Sequence, residues 1–191
     1  MNLSTPLSRT LLVAAVALSA QAAMAQQQLV PAQSEVQFTA RQMGVPLDGH
    51  FSKFSAQVAF DPAKLATSKI TFTVDTGSAT LGSRETDAEL PKPAWFNVPK
   101  FPQAQFESSS IKALGGGKFE VAGKLTIKGN TQNVVVPVAL AQSGATTTAT
   151  GTLPIKRLAF KIGENEWADT SMVADDVTVK FKLALTGVPK L

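Results

Sequence analysis

Apolar and polar residues alternate along most of this chain, and this pattern restricts the possible folds more than any other feature of the sequence. In residues 176–187, DVTVKFKLALTG, valine, phenylalanine and leucine alternate with threonine and lysine. Successive side chains of a β-strand point to opposite faces, so a period of two predicts a strand with one buried face. The same pattern begins near residues 34, 54, 68, 104, 118, 133 and 146, which predicts about eight strands.

The predicted strands are joined mostly by short turns. LGGGK at residues 114–118 and KGNT at residues 128–131 are turn sequences, and the Gly129-Asn130 pair of the second suits a left-handed backbone. Pro137 cannot donate to a neighbouring strand, which predicts an edge or a bulge at that point. An antiparallel meander of this size closes into a barrel that can hold one small ligand. The fold prediction is therefore an all-β, eight-stranded, antiparallel up-and-down barrel of lipocalin-like form.

The apolar face of these strands is predicted to point into the barrel. An outer-membrane barrel would instead turn its apolar face outward and carry girdles of aromatic residues at both interfaces. This chain has no Tyr and two Trp, and most of its predicted strands carry lysine. The inward-facing rings, which either fill the core or line a cavity, would be Phe38, Phe54, Phe72, Phe106, Phe119 and Phe181.

Two long connections interrupt the regular spacing of the strands. The first covers residues 77–103, where SRETDAEL predicts one or two helical turns, and it leads into PAWFNVPKFPQAQF at residues 93–106. Prolines argue against a regular strand or helix in that stretch, yet its large apolar rings are unfavourable in water. The second covers residues 157–176 and carries Trp167. Long connections in a compact domain are often covers or binding loops, which predicts a cover over one mouth of the barrel.

The first 25 residues have the form of a cleaved secretory signal peptide, followed by one domain at residues 26–191. Arg9 precedes a short apolar run at residues 10–20, and Ala23-Met24-Ala25 has the small-x-small form of a cleavage site. The apolar run is shorter than the ~20 residues that a membrane span needs. We therefore expect an exported, periplasmic protein.

Residue types disfavour several kinds of chemistry. The chain has no Cys and a single His, His50, in the sequence LDGHF, which predicts an exposed turn. A single His cannot form a His-rich metal site or, without a nucleophile motif beside it, a catalytic triad. The net charge of +4 comes from scattered lysines rather than from a basic run, which disfavours nucleic-acid binding. We predict no enzymatic activity, no metal and no cofactor.

Residues 84–131 contain a long, ordered series of motifs. The series is Arg84-Glu85, Leu90, WFNV at 95–98, Phe101-Pro102, FES at 106–108 and GKLTIKGNT at 123–131, with GHFSKF at 49–54 before it and PIKRLAFKIG at 154–163 after it. These motifs resemble the YceI-like family of exported, lipocalin-like proteins that bind polyisoprenoid chains. The sequence departs from that family at Asn97, where relatives often carry Asp, and at Glu85, where Asp is usual. Arg41-Gln42 also stands where a basic residue, often His, is common.

The resemblance implies a carrier that holds an isoprenoid-tailed or similar long apolar lipid, such as a polyprenol or a quinone, inside the barrel. Rings of the first connection would line or close the channel, and Arg84 would be the polar group near the cover. Met residues adapt well to a flexible chain, so two of them are added as candidates. The candidate ligand-binding residues are Phe38, Met43, Phe54, Phe72, Arg84, Leu90, Trp95, Phe96, Phe101, Phe106, Phe119, Trp167, Met172 and Phe181.

The sequence leaves two alternative functions open. One is an accessory protein that docks to a membrane cytochrome or another part of a membrane redox system. The other is a binder of fatty acids or amides. The membrane surface is a further partner to consider, and the oligomeric state is open, a homodimer included.

Overall fold

The computed structural model describes residues 27–191, so the predicted signal peptide lies outside the described residues. This part of the chain is mainly antiparallel β-structure, in eleven strands with one short α-helix. The strands are β1 (Gln28–Leu29), β2 (Glu35–Gln42), β3 (Val45–Phe51), β4 (Phe54–Ala59), β5 (Lys69–Asp75), β6 (Ala79–Thr80), β7 (Gln103–Gly115), β8 (Lys118–Ile127), β9 (Asn130–Ser143), β10 (Thr146–Lys156) and β11 (Asp176–Thr186). The helix is α1 (Arg84–Glu89), and the 3₁₀ turns are Pro31–Gln33, Leu65–Thr67, Thr76–Ser78, Arg157–Phe160 and Asn165–Ala168.

A single curled sheet contains these strands. Its order is β4-β5-β7-β8-β9-β10-β11-β2-β3-β6, and β1 pairs with β11 beside this path. The run from β7 to β11 is the predicted meander, since each strand pairs with the next along the chain. The sheet ends at β4 and β6, so it curls without closing completely. Gln27 lies just beyond the end of β4, where its side-chain amide exchanges two hydrogen bonds with the backbone of Phe60.

The all-β antiparallel fold is confirmed, but the predicted number of strands is too low. His50 lies exposed on β3 rather than in a turn, and β3 pairs with β2 along its whole length. Sequence patterning misses β3 because Pro46, Asp48 and Gly49 are of types that are depleted in strands. The two-residue strands β1 and β6 are too short to show any alternation.

Two local predictions have different outcomes. The KGNT turn places Lys128 and Gly129 in the left-handed region, whereas Asn130 begins β9, so the predicted Gly129-Asn130 pair is wrong by one position. The prediction for Pro137 is confirmed. Pairing between β9 and β10 ends at Val138 and Gly151, so β9 is not paired with β10 from Pro137 back to its start.

One end of the curled sheet is filled by a packed core, and we call it the closed end. Phe60 and Phe119 pack edge to face there, with ring centroids 5.4 Å apart. The buried residues of this core are Phe60, Ile111, Phe119, Val121, Val136, Leu185 and Val188. A second buried cluster lies beneath the connection that follows β10, and it consists of Ile127, Ile155, Phe160 and Ile162.

Candidate ligand-binding cavity

An elongated cavity of about 340 Å³ runs through the inside of the curled sheet. On β10 its lining extends from Thr147 to Ile155, about 26 Å along the strand at ~3.3 Å per residue. For a strand tilt of ~40° this corresponds to about 20 Å along the axis. The volume is at the lower end of the range for ligand pockets, and spread over this length it makes a narrow channel. Such a channel fits an extended chain better than a bulky ring system.

Carbon atoms form nearly all of the channel wall. The predicted inward orientation of the apolar face is confirmed, because inner-face residues of β2–β5 and β7–β11 line the cavity. Several of these side chains, including Phe106, Val138 and Phe181, are only half-buried, since open space rather than packed atoms lies in front of them. The polar and charged lining residues are Gln42, Thr86, Glu89, Thr147 and Arg157. Phe38, Phe72, Phe106 and Phe181 therefore line a cavity, whereas Phe119 borders it from the packed core of the closed end.

Three glycines on the strands allow phenylalanine rings to lie flat against the channel wall. A Cβ atom added to any of them would be 2.3–2.7 Å from atoms of the ring that covers it, closer than real Cβ contacts. The pairs are Gly49 with Phe38, Gly123 with Phe106, and Gly151 with Phe181. A side chain at these positions would push the ring towards the channel axis. The glycines therefore help to keep the channel open.

The first long connection covers the end of the channel opposite the closed end, which we call the cap end. Its predicted helix is confirmed as α1, and Asp87 attaches it to β6. The Asp87 carboxylate accepts hydrogen bonds from Thr80 Oγ1 and from the Leu81 backbone N–H, both at 2.6 Å. These bonds, the Thr80 bond most of all, lower the pKa of Asp87. The attachment places Leu81, Thr86, Glu89 and Leu90 in the channel lining.

The second long connection is bonded to the first at Ala94. The Ala94 carbonyl accepts hydrogen bonds from the backbone N–H groups of Gly163 and Glu164, at 2.8 and 3.0 Å. Trp95 and Trp167 lie against each other beside this contact, with ring centroids 5.5 Å apart. Within residues 27–191 the indole Nε1 of Trp95 is buried and has no hydrogen-bond partner. Rings of the proline-rich stretch and of the second connection thus form the cap end together.

Arg157 is the residue that fixes the second connection. Its side chain is almost fully buried, at 2% exposure, and each of its five donor bonds goes to a backbone carbonyl. The acceptors are Ala174, Ile162, Gly163, Trp167 and Val173, at 2.6–3.0 Å. Burial lowers the pKa of Arg157, and the charge of Asp175 opposes this effect. An arginine keeps its charge in proteins, so a cation stands at the cap end with its donors already used.

Lys128 makes a second attachment to the same connection. Its Nζ donates hydrogen bonds to the Lys161 carbonyl at 2.7 Å and to Glu164 Oε2 at 2.8 Å, and its side chain is 5% exposed. The bond from Lys128 lowers the pKa of the Glu164 carboxyl. Both Lys128 and Arg157 are missed by sequence reasoning, which treats Lys128 as one of many surface lysines. No local sequence signal distinguishes these two residues. Arg157 bonds only to backbone carbonyls, and the partners of Lys128 lie more than thirty residues further along the chain.

Most of the predicted ligand-binding residues line the channel. Those that do are Phe38, Phe72, Leu90, Trp95, Phe96, Phe106, Phe119, Trp167 and Phe181. They come from five strands and both long connections, so the structure brings together side chains that are far apart along the chain. Whether each of them contacts a ligand remains a prediction.

Five predicted residues lie elsewhere, contrary to expectation. Met43 and Met172 are 70% and 41% exposed on turns at the cap end, because their loops turn away from the channel. Arg84 is exposed at the first residue of α1. Phe101 packs over Gly129, where an added Cβ would be 2.8 Å from its ring. Phe54 lies at the start of β4, with its ring centroid 5.9 Å from that of Phe72, and lines a separate surface groove instead.

The helices within residues 27–191 are all too short or too polar to cross a membrane. The same residues contain no group of three or more His, Asp or Glu side chains that could hold a metal ion.

Sequence comparison identifies one domain family. The family model of the YceI-like domain matches residues 27–185. A UPF0312 protein of Yersinia pestis is 34% identical over 110 residues, which cover 57% of this chain and 57% of that protein. This chain spans about half the length of the curated relatives it matches.

Solved structures show the same fold. BcnA of Burkholderia cenocepacia is 49% identical, with a TM-score of 0.79, and the match covers 82% of this chain and 98% of BcnA. A polyisoprenoid binding domain from Saccharophagus degradans, implicated in plant cell wall breakdown, has a TM-score of 0.68 at 14% identity. That match covers 84% of this chain and 98% of the domain. At this identity the second likeness concerns the fold alone.

Proposed function

Because this chain belongs to the YceI-like family, we propose that it binds a single long apolar lipid chain in its channel and acts as a carrier rather than an enzyme. The observation that supports this proposal is the narrow channel itself, whose wall is almost entirely carbon from Thr147 to the cap end. A wall without polar partners offers binding energy to hydrocarbon and very little to a polar molecule.

The expected energetics favour a long chain over a short one. Each buried methylene contributes about 0.8 kcal/mol, whereas association costs at least about 4 kcal/mol in lost freedom of motion. Micromolar affinity corresponds to about −8 kcal/mol, so roughly fifteen methylene-sized groups must be buried to reach it. A short fragment therefore binds weakly, and a chain that fills the channel binds well without any strong polar contact.

The ligand we favour is an isoprenoid-tailed lipid with a neutral headgroup, a polyprenol or a quinone. A fatty acid would place a carboxylate against the wall, where the one lining cation, Arg157 in the part of the chain described, already uses its donors on backbone carbonyls. An unpaired buried carboxylate is strongly unfavourable. The name of the Saccharophagus domain, which states that it binds polyisoprenoid, supports the same choice. The periplasm is the proposed location, on the basis of the signal-peptide pattern in residues 1–25.

The first experiment is mass spectrometry of an organic extract of the protein purified from its native host. We expect an isoprenoid-tailed lipid at close to one molecule per chain, and uptake of added polyprenol by protein that has been stripped of lipid. A clean extract combined with no uptake of polyprenol or quinone would contradict the proposal. It would instead favour docking to a membrane redox partner.

A pair of matched variants locates the ligand within the fold. Ala149 lines the channel at 6% exposure, and Ala139 is exposed on the outer face of β9. Ala149→Phe should place a ring in the channel and reduce lipid uptake, whereas Ala139→Phe introduces the same ring outside and should leave uptake unchanged. Equal uptake by both variants would show that the lipid binds elsewhere.

A further inference from the structure

Three exposed apolar side chains lie together beside the cap end, and we call them the apolar tip. Met43 is 70% exposed, Val45 is 61% exposed and Met172 is 41% exposed. Met43 lies in the turn between β2 and β3, Val45 is the first residue of β3, and Met172 lies in the loop before β11. The two segments are joined by a hydrogen bond of 2.8 Å from the Met43 backbone N–H to the Met172 carbonyl. The other large exposed apolar residues of residues 27–191 are Leu114, Val135 and Leu191.

Met43 occupies a backbone position that does not suit methionine. Gln42 pairs with Val45, so Met43 and Gly44 form a two-residue turn, and their φ angles are +48° and +82°. Such a turn strongly prefers Asn-Gly or Asp-Gly, because both central residues have positive φ. A side chain that is 70% exposed also gains little from packing in the free protein. Neither the turn nor the core therefore accounts for methionine here, which points to a contact with a partner.

The apolar tip is continuous with the lining of the channel. Gln42 precedes Met43 and Val173 follows Met172, and both of these neighbours line the cavity and pair with each other as an isolated bridge. Leu47, two residues after Val45, also lines the cavity. A lipid chain that leaves the channel at this point would pass directly beside the tip.

The size and charge of the tip fit a bilayer better than a protein. A stable protein interface needs about 20–30 residues on each side, whereas the tip presents three side chains from two short segments. Arg41 donates a hydrogen bond to the Gly44 carbonyl at 3.3 Å and places a cation beside the tip. Asp169 places an anion on the other loop, and hydrogen bonds from the Ser171 side chain and, to a smaller extent, its backbone N–H lower the pKa of Asp169. With both signs present, apolar insertion rather than net charge would dominate the contact.

We propose that the apolar tip inserts into the interfacial region of a membrane and that the lipid passes between bilayer and channel at this contact. The inference rests on the proposed function for the passage of lipid, but membrane contact by the tip can be measured without it. Methionine and valine would lie at the boundary between headgroups and acyl chains, with Arg41 extended towards the headgroups. Because charges of both signs flank the tip, binding should occur on zwitterionic vesicles and depend little on salt.

The test compares Met43→Asn with Leu114→Asn. Asn suits the positive φ of position 43, so the first variant should fold at least as well as the parent protein while its tip becomes polar. Leu114 is 51% exposed at the end of β7, next to the turn that leads into β8. It is thus a matched change at the other end of the sheet. Co-flotation with phosphatidylcholine–phosphatidylethanolamine vesicles measures membrane contact. Transfer of a long-tailed ubiquinone from such vesicles is followed by quenching of Trp95 and Trp167 fluorescence, and loading from cyclodextrin measures binding without a membrane.

We expect Met43→Asn to reduce vesicle binding and vesicle transfer about tenfold or more, since removing a buried methionine side chain corresponds to at least that factor. Loading from cyclodextrin should be unchanged, and Leu114→Asn should match the parent protein throughout. Normal transfer by Met43→Asn, an equal loss in Leu114→Asn, or no binding of the parent protein to vesicles would overturn the inference. A loss of binding to a partner protein with normal vesicle binding would also overturn it. Failure of every protein to load from cyclodextrin would refute the proposed function, while flotation alone would still decide the role of the tip.

Discussion

Replacement of Arg157 by methionine tests whether this one side chain holds the cap end in place. Methionine has a similar unbranched form but no hydrogen-bond donor, so five backbone carbonyls lose their partner. Three of these carbonyls belong to buried residues, Ile162, Gly163 and Val173. The variant therefore removes the attachment without inserting bulk.

The expected loss follows from those three carbonyls. An unpaired buried polar group costs about 1–3 kcal/mol, so three of them amount to roughly 3–9 kcal/mol. The second connection can reduce this free-energy cost by opening, because water then bonds to the unpaired carbonyls. We expect the free energy of unfolding to fall by about 3 kcal/mol, a large share of the ~5–15 kcal/mol that stabilises a typical domain. Arg157→Lys keeps the charge but has three donors and no planar fork. Its free energy of unfolding should therefore lie between those of the parent protein and of Arg157→Met.

Urea denaturation measures the global loss, and hydrogen exchange locates it. The amides of Gly163 and Glu164, both bonded to the Ala94 carbonyl, should lose protection before the amides of β8 and β9. Release of bound lipid should become faster in the same variant. A free energy of unfolding within about 1 kcal/mol of the parent protein's, together with normal protection of those two amides, would refute the role given to Arg157.

Three further predictions concern single contacts. Gly151→Ala should lower stability by about 1–3 kcal/mol in urea denaturation, because the new Cβ would be 2.3 Å from the Phe181 ring; an unchanged midpoint would argue against the flat packing of that ring. The pKa of Glu164 is lowered in the folded state by Lys128, so the folded protein binds fewer protons than the unfolded chain. The contribution of the Lys128–Glu164 contact to the stability of the folded protein is present above the unfolded pKa of about 4.3. It is lost as the pH falls through the lower pKa of the folded state. Glu164→Gln should therefore flatten the pH dependence of the urea midpoint below about pH 5, and an identical pH profile would contradict this. Trp95→Phe and Trp95→Leu both remove a buried donor that has no partner, but only Trp95→Phe keeps a ring against Trp167. Trp95→Phe should therefore destabilise the protein less than Trp95→Leu, and equal thermal unfolding temperatures of the two variants would contradict this.

The sequence predicts the strands that alternate clearly and misses those that do not. β11 and β8 carry regular alternation, and their predicted inner faces do line the channel. β3 contains Pro46 and Gly49 within seven residues, so its strand character comes from pairing with β2 rather than from its own residues. The residues placed in loops are predicted less well, because a loop side chain has no periodicity to indicate its direction. Trp95 and Trp167 face the channel, whereas Met43 and Met172 in similar loops face outward.

The sequence by itself determines the antiparallel β fold, the inward direction of the apolar faces and the short helix α1, since each depends on local alternation or propensity. Membership of the YceI-like family is likewise readable from the ordered motifs between Arg84 and Thr131. Only the tertiary structure decides that the barrel is hollow, because rings and glycines on neighbouring strands must be paired before the space between them is known. Only the tertiary structure also shows what holds the cap end in place. The partners of Arg157 are backbone carbonyls, and every residue has a backbone carbonyl whatever its side chain, so residue types do not predict these bonds.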